Sequence, residues 1–239
     1  MHSLETRSLE RRFGGLAAVN GLSFSLDRGE ILGVIGPNGA GKTTLINLVA
    51  GLYRPTSGAI LFEGRDITGV PAHARARMGI GRTFQLVHPL ESLDVLENVM
   101  LGFVFCRGLG LRAARKEAEA LCETLRLGGL ARELSQITML ETKKLEIARA
   151  LAGGPSVLFL DEVMAGLNSD ETRELIELVK DIARSRNIGV GVVEHVMGVI
   201  KELTHRVLVL EAGELIAEGP YEEVVKDRRV IEAYLGGAA

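Results

Sequence analysis

Nine consecutive residues, Gly36-Pro37-Asn38-Gly39-Ala40-Gly41-Lys42-Thr43-Thr44, have the types and spacing of a loop that binds phosphate. Glycines at 36, 39 and 41 open backbone conformations closed to other residues and let the main chain approach an anion. Successive N–H groups then point inward as a nest, at a helix N-terminus carrying roughly half a positive charge. In this arrangement Lys42 reaches the β- and γ-phosphates of a nucleotide, and the Thr43 hydroxyl ligates Mg²⁺. An ordinary glycine-rich turn is the simpler alternative, but every fixed position of the motif and both flanking elements are present.

Further residues downstream suit the same chemistry. Asp161-Glu162 directly follows the apolar run Val157-Leu158-Phe159-Leu160, and ligands of open α/β sheets sit at the carboxyl ends of strands. Asp161 is suited to hold Mg²⁺ through water, and Glu162 to polarise an attacking water as general base. His195 ends a second apolar run, residues 190–193, as Glu194-His195. From that edge a ring nitrogen can contact a γ-phosphate. Gln85, in Arg82-Thr83-Phe84-Gln85, stands at the end of a short strand, where a glutamine can ligate Mg²⁺ or orient water. A capping carboxylate at Glu162 and a solvent-facing ring at His195 are the plainer readings; their shared place at strand ends favours the functional ones.

The elements that must hold these residues can be read around them. Ile31-Leu32-Gly33-Val34-Ile35 is short and apolar enough for a buried strand, and Leu45 to Ala50 reads as helix, with Gly51 as its C-terminal cap. Leu22, Phe24 and Leu26 alternate with serines as in a half-buried strand, and Ala59-Ile60-Leu61-Phe62 reads as another. From about Leu93 the texture turns helical: residues 94–101, 113–127 and 141–151. In the second of these, Ala118, Leu121, Cys122 and Leu125 recur at helical spacing. Wholly apolar strands then resume, as a parallel sheet covered on both faces requires. Asn168 with Glu171 suggests a capping box opening the next helix. Residues 206–210 and 215–218 read as a hairpin around Ala212-Gly213, and short helices close the chain from Pro220 to Leu235.

Composition narrows the class. At 239 residues, 46% hydrophobic and 25% charged, the chain can bury a sizeable core and is not disordered. A net charge of −3 argues against a broad basic face for nucleic acid. Cys106 and Cys122 make neither a disulfide framework nor a metal site and read as packing residues of a reduced compartment. No apolar run approaches the ~18 residues that span a bilayer, and the N-terminus lacks the apolar core of a signal peptide. The expectation is a soluble, cytoplasmic protein whose membrane role, if any, comes through a partner.

The phosphate loop, Gln85, a helical insertion, Asp161-Glu162 and His195, in that order, resemble the ATPases of ABC transporters over essentially the whole chain. The resemblance implies an α/β fold: a P-loop NTPase core with a mainly parallel sheet, an antiparallel β subdomain on the N-terminal side, and a helical subdomain around residues 90–150. The single domain would then comprise core and β subdomain over 1–89 and 151–239, with the signature segment in the helical part. ATP and Mg²⁺ are the implied cofactors. Phe13 resembles the aromatic that stacks on adenine, Gln85 the glutamine that couples nucleotide to the transmembrane partner, Asp161 the Walker B aspartate and Glu162 the catalytic glutamate. Ala165-Gly166-Leu167-Asn168 resembles the D-loop and His195 the switch histidine. Residues 79–85, 165–168 and 229–236 are most similar to the ATPases of branched-chain amino-acid uptake. That implies a second ATPase subunit arranged head to tail, permease subunits, indirectly a solute-binding protein, and a place on the cytoplasmic face of the membrane. A soluble ATPase of the same family unconnected to transport, and a low-activity partner in a heterodimeric pair, remain the alternatives.

One segment departs from the family pattern. Members carry Leu-Ser-Gly-Gly-Gln or a close variant where this chain has Ile137-Thr138-Met139-Leu140-Glu141. Thr138 can supply the usual hydroxyl. Leu140 replaces a glycine, which limits close approach, and Glu141 puts a carboxylate where glutamine stands. In the family this segment meets the γ-phosphate held by the opposite subunit. Glu141 would repel that phosphate unless it faces away or pairs with Lys143 or Lys144, so slow hydrolysis at the site it completes is expected.

Overall fold

The computed structural model describes residues 2–83 and 90–235. It opens with two long antiparallel strands, β1 (Leu4–Phe13) and β2 (Leu16–Leu26). Along β1 the apolar period breaks: Ser8 has φ of 44°, and the pairing with β2 shifts register on either side of Leu9. Such bulges explain why charges at Glu5, Arg7, Glu10, Arg11 and Arg12 hide a strand that still buries Leu4 and Leu9. Next come β3 (Ile31–Ile35), buried at every position, and α1 (Lys42–Val49). β4 (Ser57–Phe62) and β5 (Arg65–Asp66) complete an antiparallel sheet in the order β2-β1-β4-β5.

α2 (Ala72–Met78) and the short β6 (Ile80–Arg82) follow. From α2, Arg75 is driven into the interior, with 1% of its surface exposed. Its guanidinium donates to five main-chain carbonyls: Leu48 and Val49 at the end of α1, then Ile67, Thr68 and Val70. It thereby satisfies acceptors that a helix C-terminus leaves open and ties α1 to the antiparallel sheet.

Helices α3 (Val95–Phe105), α4 (Leu111–Thr124) and α5 (Met139–Ala152) form the inserted region. Asp94 and Glu97 close a capping box on α3, and Ala118, Leu121, Cys122 and Leu125 are buried as their spacing predicted. Burial lifts the Cys122 thiol to a pKa of about 11, as befits an inert packing residue.

The chain then runs through β7 (Val157–Asp161), α6 (Ser169–Arg186), β8 (Gly189–Val193), α7 (Met197–Leu203), β9 (Arg206–Glu211), β10 (Glu214–Gly219), α8 (Tyr221–Val224) and α9 (Arg228–Leu235). The expected box of Asn168 with Glu171 caps α6. The second sheet has the order β10-β9-β3-β8-β7-β6. All its neighbours are parallel except β10 with β9, so the mainly parallel sheet and the N-terminal antiparallel one stand as expected. One face packs on α3 to α6, joining Val99, Leu121 and Leu151 with Leu158, Val190 and Ile182. The other face packs on α1 and the antiparallel sheet through Leu45, Ile46, Val34 and Leu9. The carboxyl ends of β3, β7 and β8 consequently emerge side by side, which is where functional residues of such sheets belong.

Candidate functional site

The loop after β3 is shaped by close main-chain contact. Gly36 and Gly41 have φ of 150° and 101°. A Cβ on either would collide with a carbonyl oxygen, that of Leu210 at Gly36 and that of Ala18 at Gly41. The outer wall of the loop is the β9–β10 turn: Gly213 donates its N–H to Ala40 (3.1 Å) and accepts from Asn20 (2.8 Å). Lys42 is buried, and its Nζ donates to the carbonyls of Gly36 (2.7 Å) and Pro37 (3.0 Å). Burial lowers the ammonium pKa, against the pull of Glu162 and Asp161.

β7 delivers Asp161 with 1% of its side chain exposed. Its N–H donates to the Thr83 hydroxyl (3.0 Å), and the Arg82 guanidinium lies 3.8 Å from Oδ2. Yet neither carboxylate oxygen has a hydrogen-bond partner among the described residues. Burial raises the carboxyl pKa, with Arg82 opposing. A buried carboxylate in this condition is the kind of group a bound cation would satisfy. Among the described residues no cluster of three or more His, Cys, Asp or Glu could cage a metal by itself, so an ion here would need ligands of other kinds, such as hydroxyl, phosphate and water oxygens.

Glu162 departs from the strand with φ of 52°, a left-handed conformation uncommon for a residue with a side chain. Its N–H donates to the Val193 carbonyl (2.9 Å). At the end of β8, His195 Nε2 lies 2.7 Å from Glu162 Oε1. These two side chains, the loop from Asn38 to Thr44, Ala18, Ala212 and Phe13 line one cleft of about 480 Å³. Thr43 faces solvent there while its neighbour Leu45 anchors α1 in the core. Phe13 is 41% exposed, with its ring edge on Tyr53 (centroids 5.4 Å apart) and the Arg11 guanidinium 4.5 Å over it.

The structure therefore gathers Phe13, the phosphate loop, Glu162 and His195, with Asp161 beneath them. Gln85 lies outside the described residues. Thr138 and Leu140 stand apart at the start of α5, where Thr138 is the N-cap. Of the arrangements open to Glu141, the structure shows a pairing with a different cation. Its carboxylate meets the Arg132 guanidinium and accepts from the Thr138 N–H (2.8 Å). The adjacent lysines are engaged elsewhere, Lys144 with Glu174 at 2.6 Å and Lys143 4.0 Å from Glu146. As the N3 residue of a capping box, Glu141 must bend back toward Thr138, whereas Lys143 and Lys144 lie on the buried side of α5. A Thr-x-x-Glu pattern was the sequence signal for this cap. Arg82, Thr83 and Glu194, which hold Asp161 and the loop after it, carried no such signal because their partners are distant in sequence.

Comparison with known proteins places the chain in a family. Residues 19–165 match the sequence model of the ABC transporter family, and residues 214–239 that of the branched-chain amino acid ATP-binding cassette transporter. The chain is 38% identical, over 98% of both chains, to the high-affinity branched-chain amino acid transport ATP-binding protein LivG of Salmonella typhimurium. Its fold is similar to that of an ATP-binding cassette of an ABC transporter in the ADP conformation, with a TM-score of 0.89 at 30% identity, covering 99% of each chain. A dimeric bacterial ABC transporter cassette also matches, with a TM-score of 0.79 at 25% identity over 91% of this chain and 98% of that one.

Proposed function

The chain belongs to the ABC transporter family as an ATP-binding cassette, an ATPase, and from that premise we propose that it powers uptake of branched-chain or related amino acids through separate permease subunits. The substrate class rests on the similarity to LivG and on the match of residues 214–239. No helix among the described residues is long and apolar enough to cross a membrane, which fits a subunit docked on the cytoplasmic face of permeases that bind the solute's carrier protein outside.

The observation that carries the site assignment is the 2.7 Å contact of Glu162 with His195 at the mouth of the phosphate loop. Main-chain N–H groups of residues 36–44 and Lys42 hold the β- and γ-phosphates, and Phe13 offers its exposed ring to adenine. Thr43, Asp161 and Gln85 would hold Mg²⁺, whose charge would offset that developing on the phosphates. Glu162 accepts the proton of a water that attacks the γ-phosphorus as ADP leaves; His195 fixes the Glu162 carboxylate and contacts the γ-phosphate. Thr138 and Leu140 serve the partner's nucleotide, since this chain keeps them away from its own cleft. A second cassette, placed head to tail, closes the site; the dimeric cassette that matches this fold supports such a pairing.

The deciding experiment reconstitutes the chain with the permeases encoded beside it. ATP hydrolysis stimulated by a leucine-loaded binding protein supports the reading. Recovery of the chain with ribosomes or DNA and without membrane subunits overturns it.

A further inference from the structure

Three successive residues at the end of β8 are bonded to the segment that carries Glu162. Val193 accepts the Glu162 N–H (2.9 Å), and His195 meets the Glu162 carboxylate (2.7 Å). Between them lies Glu194, only 3% exposed. Its carboxylate accepts the main-chain N–H of Met164 at 2.8 Å, and its own backbone leads directly into His195. One buried anion thus joins the turn that follows Glu162 to the backbone of the residue that Glu162 touches. A buried carboxylate is costly unless its acceptor capacity is used. Here it is used on the Met164 N–H, across from the strand that leads into His195, through a charge-assisted bond stronger than a neutral one.

The need for such a brace follows from the conformation of Glu162. With φ of 52°, its backbone sits in a region that persists only where the surroundings over-determine it. Inside the turn itself, the Ala165 N–H to Glu162 carbonyl bond is long, at 3.3 Å, and so is that from Leu167 to Met164. To these long bonds of the turn β8 adds Val193 on one side and Glu194 on the other.

We propose that Glu194 is a positioning residue for hydrolysis, which fixes the left-handed backbone of Glu162 and the Glu162–His195 contact by tying the Met164 N–H to the backbone that carries His195. This rests on the reading of Glu162 as the base. Glu194 is not among the residues that line the cleft, so its removal should leave ATP affinity alone and slow turnover. Displacements of about an ångström in such an arrangement cost up to about a hundredfold in rate.

The test compares steady-state ATP hydrolysis of the full-length chain, in its transporter, for wild type, Glu194→Ala, Glu194→Gln and Glu162→Gln. The expected result is a fall in kcat of about tenfold or more for Glu194→Ala with KM for ATP within about twofold of wild type. Glu194→Gln, which keeps an acceptor oxygen for Met164, should fall between the two. Faster amide exchange at residues 162–165 in Glu194→Ala would accompany it. A wild-type kcat in Glu194→Ala, or a KM that rises in step with the loss of kcat, overturns the inference. If Glu194→Ala does not fold, Glu194→Gln decides by the same criterion. Turnover lost in Glu162→Gln but kept in Glu194→Ala removes only the role of Glu194; turnover kept in Glu162→Gln removes the base, and this inference with it.

Discussion

Glu162 Oε1 and His195 Nε2 lie 2.7 Å apart, though 33 positions separate them in the chain. The parallel pairing of β7 with β8, Asp161 opposite Val193, creates the contact, because each side chain follows its strand by one or two residues. Glu162→Gln preserves the shape of the site and removes the proton acceptor. That variant should bind ATP with near wild-type affinity and lose turnover by about a hundredfold or more, as read by nucleotide titration beside phosphate release. Hydrolysis at the wild-type rate would exclude Glu162 as the base.

Lys42→Ala should act on the other step. The lysine is the buried cation of the phosphate loop, and its loss should weaken ATP binding itself by about tenfold or more. Unchanged nucleotide affinity would remove the loop from that role.

At the start of α5, Glu141 and Leu140 can be separated by their effects. Glu141→Gln keeps the capping box, which accepts either residue, and gives up a partly exposed pair with Arg132. Stability should therefore change by less than about 1 kcal/mol. Joined with Leu140→Gly, the change should raise ATP hydrolysis of the assembled transporter. Equal activity in the double variant and wild type would show that the segment works as it stands.

Glu146 gives the fold a dependence on pH. Its side chain is 6% exposed on α5, one carboxylate oxygen has no hydrogen-bond partner, and burial raises its pKa to about 7 against the pull of Lys143 and Arg149. An acid whose folded pKa lies above its unfolded value takes up protons on folding. Stability then declines as pH rises from the ordinary carboxylate range toward 7, and levels off above it. Glu146→Gln removes this loss, worth up to about 3 kcal/mol at pH 8. Its melting temperature should exceed that of wild type by several degrees at pH 8 and differ little at pH 4.5. An equal difference at both values would sink the assignment.

The five carbonyls around Arg75 predict a severe loss. Arg75→Ala leaves them without their donor in a dry interior, at a cost of about 3 kcal/mol or more. Arg75→Lys should recover only part, because an ammonium cannot match a planar fork of donors. Urea titration at constant m-value checks both; a midpoint unchanged in Arg75→Ala would mean that water replaces the guanidinium.

What could be read from the sequence was what is written locally. The loop from 36 to 44, the apolar runs of β3, β7 and β8, and the Asn168 cap each sit within a few residues, and all were legible. β1 was not, because its bulge destroys the period on which a strand is recognised. α2 was not, being a single short segment of alanine and arginine whose meaning lies in the carbonyls that Arg75 finds. Asp161 and Glu162 were found from their strand end; their supports, Arg82, Thr83 and Glu194, depend on strand neighbours that only the sheet order reveals. The sequence left Glu141 either facing away from phosphate or pairing with Lys143 or Lys144, whereas the helix cap turned it toward Arg132.

The wall around the phosphate loop has a consequence for biogenesis. Gly36 abuts Leu210, and Ala40 takes its outer hydrogen bond from Gly213. A nascent chain that has left the ribosome only as far as α6 holds every glycine of the loop and none of this enclosure. Vectorial synthesis proceeds at about 5–20 residues per second, so for many seconds the motif exists without these two contacts. Nucleotide can thus stabilise the protein by mass action only after β9 and β10 have been made and docked, and ATP becomes a ligand of the finished cassette rather than a template for its assembly.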